Sequence, residues 1–444
     1  MIRSVLTGFA IILVLAATTS GQVNFNFTGG GTRAQGMGNA YIALSNDASS
    51  PSWNPAGMFA HEKTLGSFAM SSFAPRGDFF NNDFKLAQGG SFSNVSYASF
   101  IAPLRVKGHP FVLGISYSRN LEDYQNFGGM ADSIMFNAPD DTATISYEEI
   151  GNSHGLYNSV NFAFGTRVSN SFTIGAAVNV YTGRGVQSST SVQTIDSLIP
   201  PDKPLQHVLY RSVTNLIDTT TFSGVNFTVG LRRTGERMDL GLIIRTPFSL
   251  KYNTGSSIYS VVTYNGSPQG QYSDSSYVED QLIKYEIPMF VGLGVAYKVK
   301  PDWIVAADGE YRAFSGKELK IRDSLRISPS GSNEEFYTSV DPGWKNVFVF
   351  RAGTEYVLKT NSPIFPVVPL RAGFGYVPSP WPSFSANGAE ETTKSVNLSA
   401  GIGVHWTQIY LDAAYTYMSG DYTAGGVKLE NRNHQFNFMF TGYF

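Results

Sequence analysis

The sequence predicts an all-β fold: a transmembrane antiparallel β-barrel of about fourteen strands, with an N-terminal segment folded inside its lumen. Three observations carry that expectation. Charged residues make up only 15% of the 444, against about 25% in ordinary soluble domains, while Tyr 24 and Phe 32 supply most of the 14% aromatic content. Successive segments of roughly ten residues alternate apolar with small or polar side chains. The links between them alternate short and long, as in barrels with tight turns on one side of a membrane and loops on the other.

Composition also excludes several function classes. With Cys 0, the chain has no disulfide, thiolate metal site or thiol nucleophile. A formal net charge of -2 lacks the basic footprint of a nucleic-acid binder. The six histidines (His61, His109, His154, His207, His405 and His434) never fall at metal-ligand spacing, so neither a metal nor a cofactor is expected. Gly151-Asn152-Ser153-His154-Gly155 matches G-x-S-x-G, but a nucleophile elbow needs a strand-turn-helix setting and this stretch falls in an expected external loop. No enzyme is expected.

The elements follow in chain order. Arg3, the apolar run Val5 to Ala17 and the small residues Thr18 to Gly21 form a secretory signal peptide over residues 1–21, since about 13 apolar residues fall short of the roughly 20 that span a bilayer. Residues 22–60 are rich in Gly, Ala and Ser, which permit tight turns and close backbone approach, and so suit a plug. Residues 61–444 form the barrel. Strands are expected near 64–73, 94–103, 110–119, 156–168, 171–183, 222–233, 237–250, 282–299, 302–314, 346–358, 367–377, 394–406, 408–418 and 432–444. Phe172-Ile174-Ala176-Val178-Val180 and Val396-Leu398-Ala400-Ile402-Val404-Trp406 show the period of two clearly. Ile287-Met289-Val291-Leu293-Val295-Tyr297 is read as the longest outward run. Links such as Ser169-Asn170 and Lys300-Pro301 are short; the long extracellular loops are expected at 120–155, 184–221, 251–281 and 315–345. Open sheet edges cannot be satisfied in lipid, so the strands must close.

Side chains refine this picture. Tyr117, Tyr181, Tyr297, Trp303, Tyr311, Tyr376, Trp406, Tyr410 and Tyr417 lie near expected strand ends, where interfacial girdles form. Inward positions mix apolar bulk (Ile243, Phe290, Ile304, Val347, Val349) with charge (Arg245, Lys284, Glu286, Asp308, Glu310, Arg312, Arg351, Glu355, Arg371). A water-filled porin has no use for the first group. Arg245, Arg351 and Arg371, with Phe290, are therefore candidates to bind a lipophile and its carboxylate; the alternative role for the arginines is ion pairing with Glu355, Glu310 or Asp47.

The most specific stretch is Gly31-Thr32-Arg33-Ala34-Gln35-Gly36-Met37-Gly38-Asn39-Ala40-Tyr41, followed by Asn46-Asp47-Ala48-Ser49-Ser50-Pro51-Ser52-Trp53-Asn54-Pro55-Ala56-Gly57-Met58. It resembles the N-terminal hatch of the FadL/TodX family of outer-membrane transporters for hydrophobic compounds, a signature shared by PorV-like barrels. The resemblance covers about residues 25–58 in sequence and the rest in architecture. It implies a fourteen-stranded barrel with a hatch, and passive uptake of long-chain fatty acids or other hydrophobic small molecules by loop capture, a lumen pocket and hatch rearrangement. The hatch and gating candidates are Gly36, Gly38, Asp47, Trp53, Asn54, Pro55 and Ala56. The alternative it implies is a PorV-like barrel that binds secreted proteins. Either barrel sits in the outer membrane of a Gram-negative-type cell, among outer-membrane lipids. The Phe-rich last strand ending at Phe444 resembles the signal by which barrel-assembly machinery recognises its clients.

Overall fold

The computed structural model describes residues 29–81, 84–138, 141–198, 207–264, 267–272, 278–322, 336–380, 382–384, 390–391, 394–424 and 427–444; the expected signal peptide lies outside them. Fourteen staves form one antiparallel sheet: β1 Leu65–Asn81, β2 Phe84–Gly89 with Phe92–Val106, β3 His109–Ala138, β4 Asp141–Ser169, β5 Phe172–Leu198, β6 His207–Arg233, β7 Met238–Arg245 with Phe248–Tyr264, β8 Ser267–Tyr272 with Val278–Ile287 and Phe290–Lys300, β9 Trp303–Arg312 with Leu319–Arg322, β10 Tyr337–Val340 with Val347–Lys359, β11 Val367–Tyr376, β12 Lys394–His405, β13 Ile409–Ala424 and β14 Val427–Tyr443. Each pairs with its chain neighbour. β1 then pairs with β14, from Leu65↔Tyr443 to Phe80↔Lys428, which closes the barrel. Closure removes the sheet edges that hydrocarbon cannot satisfy.

Alternation fixes which face meets lipid. Phe68, Phe100, Leu113, Phe162, Val229, Leu293, Phe350, Leu398 and Phe438 all point outward and are exposed. Their inward neighbours are small or polar, as with Ser116, Asn161, Asn179, Asn226 and Asn437, which are buried. Apolar side chains exposed on stave after stave form a lipid-facing band.

Three expectations need correction. The segments 120–155, 184–221 and 251–281 are largely strand: β3 and β4 pair up to Ala138↔Asp141, and β5 and β6 up to Leu198↔His207. Val186, Val192, Ile195, Val213, Thr214, Ile217 and Thr219 are β-branched and carry the ladder onward, so these polar stretches extend the hairpins. Among the described residues of 315–345, Leu319–Arg322 and Tyr337–Val340 are strand.

Second, the run through Ile287 is broken at a pair of prolines. Arg245 pairs with Phe290 and Phe248 with Ile287, so Pro247 stands opposite Pro288, where neither residue has an N–H to donate. Thr246 bridges the gap, its N–H donating to Phe227 O at 2.9 Å and its Oγ1 accepting from Phe227 N–H at 3.0 Å. Above the break the facing of β8 reverses. Met289 remains outward, but Ile287 is buried in the lumen, and Glu286 pairs with Lys320 at 2.5 Å in a partly exposed setting.

Third, Tyr181 is no girdle residue. It is buried in the lumen and stacks on Phe248 with ring centroids 5.0 Å apart.

Candidate functional site

The described part of the N-terminal segment, residues 29–60, folds as short turns: α1 Thr32–Gly36, α2 Ser50–Trp53 and a 3-10 helix Pro55–Ala60. None is long enough to be stable alone; the wall and local caps hold them. Asn54 caps the 3-10 helix, its Oδ1 accepting from Ala56 N–H at 3.2 Å, with Pro55 at the first position where an N–H is dispensable. The same Asn54 amide donates to Ile42 O at 3.0 Å and to Leu231 O of β6 at 3.1 Å. Asp47 gathers the preceding turn. Its carboxylate accepts from Ser49 N–H and Oγ at 2.9 and 2.6 Å and from Tyr41 Oη at 2.6 Å. Trp53 packs edge-on to Tyr41, with centroids 5.9 Å apart, and donates its indole N–H to Gly30 O at 2.7 Å.

The wall grips this segment from around the circumference. Tyr97 and Ser99 of β2 both donate to Ala48 O, at 3.0 and 2.7 Å. Arg232 of β6 donates to Ala43 O at 2.8 Å, and Arg245 of β7 to Ser52 O at 3.1 Å. Asp308 of β9 accepts from the Tyr41 and Ile42 N–H groups at 2.5 and 2.9 Å. Gly38 N–H donates to Ser399 Oγ of β12 at 2.9 Å. Contacts spread over five staves so far apart in the ring place residues 29–60 inside the barrel. Gly38 has φ 64, and a Cβ there would collide with the Phe374 backbone, so only glycine permits that approach. On the opposite side Asn54, Pro55 and Ala56 lie directly over Gly230 and Gly175 of the wall.

A chain of buried charge completes the attachment. Arg33 makes a bidentate pair with Glu355 of β10 at 2.8 and 2.7 Å, and its remaining nitrogen reaches Tyr41 Oη at 2.9 Å and Asn46 Oδ1 at 2.7 Å. Glu355 also accepts from Arg371 at 2.6 Å, and Arg371 donates to Asp412 at 2.6 Å. Burial alone would lower the Arg33 pKa, but the Glu355 and Asp47 carboxylates, with the Tyr41 oxygen beside them, outweigh it and hold the guanidinium well above its ordinary value. Burial raises the Tyr41 phenol despite the opposing Arg33 charge. Arg351 pairs with Glu310 at 3.5 Å, and Glu310 with Arg312 at 2.5 Å.

A second lumenal feature was only partly legible. Tyr157, Tyr181, Phe222, Leu250, Ile287, Phe290, Phe314, Trp344, Val347 and Val349 form one buried cluster on the inner side of β4 to β10. Phe314 meets Trp344 edge-on at 5.6 Å, Trp344 stacks on Tyr285 at 6.2 Å, and Phe290 lies 5.9 Å from Phe314. Phe290, Val347 and Val349 were expected in the lumen. Phe314 and Trp344 fall in unpaired stretches of β9 and β10 where no period of two marks their facing. Arg245 sits beside this cluster, lining with Tyr181, Ser118, Asn120, Asn161 and Asn179 a small polar cavity over Ser52. Of the ligand candidates, then, Arg245 and Phe290 lie at the cluster, whereas Arg351 and Arg371 lie in the charged network. The side chains of residues 121–145, including the apolar ones of that hairpin, are outside the described set. Among the described residues no group of three or more His, Asp or Glu is placed to hold a metal ion.

No protein-family model matches the chain, and no curated protein matches it. Solved structures do. A Pseudomonas aeruginosa FadL homologue superposes with a TM-score of 0.59 at 13% identity, over 94% of this chain and 99% of that one. The Ralstonia pickettii toluene transporter TbuX gives 0.55 at 14% identity, over 94% and 99%. The Pseudomonas putida toluene transporter TodX gives 0.55 at 13% identity, over 95% and 99%. The chain therefore has, over nearly its whole length, the barrel fold of a FadL homologue and of two toluene transporters.

Proposed function

We propose that this protein is an outer-membrane channel for the passive uptake of hydrophobic small molecules, with residues 22–60 as its hatch. The observation that carries the reading is the aromatic cluster inside the barrel. A diffusion porin lines its lumen with polar groups, whereas here Phe290, Phe314, Trp344 and Tyr181 gather within the wall beside a segment that occupies the lumen. Rings of this kind present an apolar surface against which an apolar solute can partition when the cluster parts. The solved channels of the same fold, two of them described as toluene transporters, support the same substrate class. In the seated state the hatch obstructs the lumen, so passage requires it to rearrange, and Gly36, Gly38, Asp47, Trp53, Asn54, Pro55 and Ala56 are the residues that would set that step.

A long-chain fatty acid is the finer reading. Its chain would lie among the aromatic rings and its carboxylate against Arg245. We place it against Arg245 because that guanidinium borders the polar cavity and lies near Tyr181 of the aromatic cluster. Uptake of labelled oleate and of labelled toluene is compared in cells with and without the gene. Faster uptake of either supports the channel, oleate alone supports the fatty-acid reading, and equal rates for both refute transport.

A further inference from the structure

The outer wall at the seam between the first and last strands carries an unusual column of side chains. β1 and β14 pair in unbroken register, so Phe68↔Phe440, Met70↔Phe438, Ser72↔Phe436, Ala74↔His434 and Arg76↔Arg432 share one face. Phe68, Met70, Phe436, Phe438 and Phe440 are exposed, which makes that face the lipid-facing one. Arg76 and Arg432 are thus directly opposed on the outside of the barrel, both exposed. Like charges facing each other across a strand pair destabilise it unless anions neutralise them; Glu430 on the same face takes one bond from Arg432.

The height of the pair points to the source of a second anion. Immediately below stand His434, Tyr415 and Tyr417, with Tyr415 Oη 2.8 Å from His434 Nδ1 and the Tyr417 ring 5.3 Å from the imidazole. Rings of this kind mark the edge of the hydrocarbon. Lower still, Phe68, Met70, Phe438 and Phe440 with Leu411 and Ile402 wall a groove of about 660 Å³, floored by Ser72 and Ala413. Six residues separate Arg76 from Met70, about 20 Å at 3.4 Å per residue, which is the reach of a membrane acyl chain. The groove's surface is almost wholly apolar. Above the arginines Asp421 is exposed and Glu430 accepts from Arg432 at 3.2 Å, leaving 63% of the Arg432 side chain accessible.

We infer that this seam is a binding site for a phosphorylated, acylated lipid of the outer leaflet, its phosphate between Arg76 and Arg432 and a chain in the groove below. Paired guanidiniums match phosphate geometry, and a headgroup at the belt edge joined to a chain in hydrocarbon is the one chemistry that occupies both parts. The site is on the outside wall and independent of what passes through the lumen.

The test uses the full-length protein in detergent, with diphosphorylated lipid A and its phosphate-free form as probes, read by native mass spectrometry. The wild-type protein should bind the diphosphorylated form at least tenfold more tightly, and 0.5 M salt should narrow the gap. R76Q/R432Q should bring the two probes level, while F438A/F440A should weaken both several-fold. Equal wild-type affinity for the two probes overturns the inference, as does full retention of phosphate preference in R76Q/R432Q with a folded, heat-modifiable barrel. Should that variant fail to fold, the wild-type comparison of the two probes and its salt dependence decide alone.

Discussion

Substitution of Arg33 by Met removes the guanidinium while keeping most of the stem, and its effect can be worked from the structure. Arg33 donates twice to Glu355 and once each to Tyr41 and Asn46, with the Arg33 side chain 15% and the Glu355 side chain 6% accessible. Removing one partner of a buried pair costs about 3–5 kcal/mol. Glu355 keeps Arg371 at 2.6 Å, so its charge is not stranded and the lower end applies, about 3 kcal/mol. Arg33 belongs to the internal segment and Glu355 to the wall, so the loss falls on the seated state. A change of 3 kcal/mol shifts the ratio of seated to unseated segment roughly 150-fold. Amides of residues 30–57 that are protected by docking should exchange with deuterium faster by about that factor, and leak conductance in planar bilayers should rise. A double-mutant cycle with E355Q should return a coupling of about 1.5–3 kcal/mol, the range for hydrogen bonds to charged groups. Unchanged exchange in R33M, with the barrel still heat-modifiable, would refute the assignment of this pair as the segment's anchor.

Further outcomes follow from other parts of the site. G38V should unseat the segment, because φ 64 and the Phe374 backbone leave no room for a side chain, whereas G309A, which meets nothing within 4 Å, should leave exchange unchanged. N54A removes the cap on Ala56 N–H and two donors to backbone carbonyls, at about 2–3 kcal/mol in total, read as faster proteolysis of the segment; a wild-type digestion rate would contradict it. F314A takes away ring contacts to Phe290 and Trp344 and should raise several-fold the concentration for half-maximal uptake; the same saturation curve as wild type would count against the aromatic cluster as the solute's binding surface. Burial lowers the His61 imidazole pKa, so the unfolded chain takes up the proton first. The stability linked to His61 is complete above its ordinary value of about 6.5 and falls as the pH drops from there towards the lowered folded value. Melting of the segment should therefore shift downward between pH 7.5 and 5.5, and H61Q should flatten that dependence.

Much of the barrel is written locally. Outward Phe, Leu and Val alternate with inward Ser, Asn and Gly because each side chain obeys the pleat of its own strand, and this needs no knowledge of partners. The local signal stops where a partner strand decides. Ile287 continues the odd-numbered apolar run in sequence, yet Pro288 facing Pro247 interrupts the ladder and turns Ile287 inward. Thr- and Val-rich stretches read as loops became strands because a membrane-anchored hairpin supplies the pairing register that such a stretch lacks alone. The Gly-Met-Gly and Trp-Asn-Pro-Ala stretches stood out for their small residues, but nothing in them reveals which wall glycines receive them.

The sequence by itself determined the class of fold, the approximate number of strands and their two faces, since all of these rest on period-two patterning and on turn chemistry within a few residues. Only the tertiary structure decided the closure of β1 on β14, the gathering of Phe314 and Trp344 beside Phe290, and the pairing of Arg33 with Glu355 across 322 residues of chain. Those choices depend on which surfaces the closed ring brings within hydrogen-bonding distance, and a strand's own residues carry no record of that.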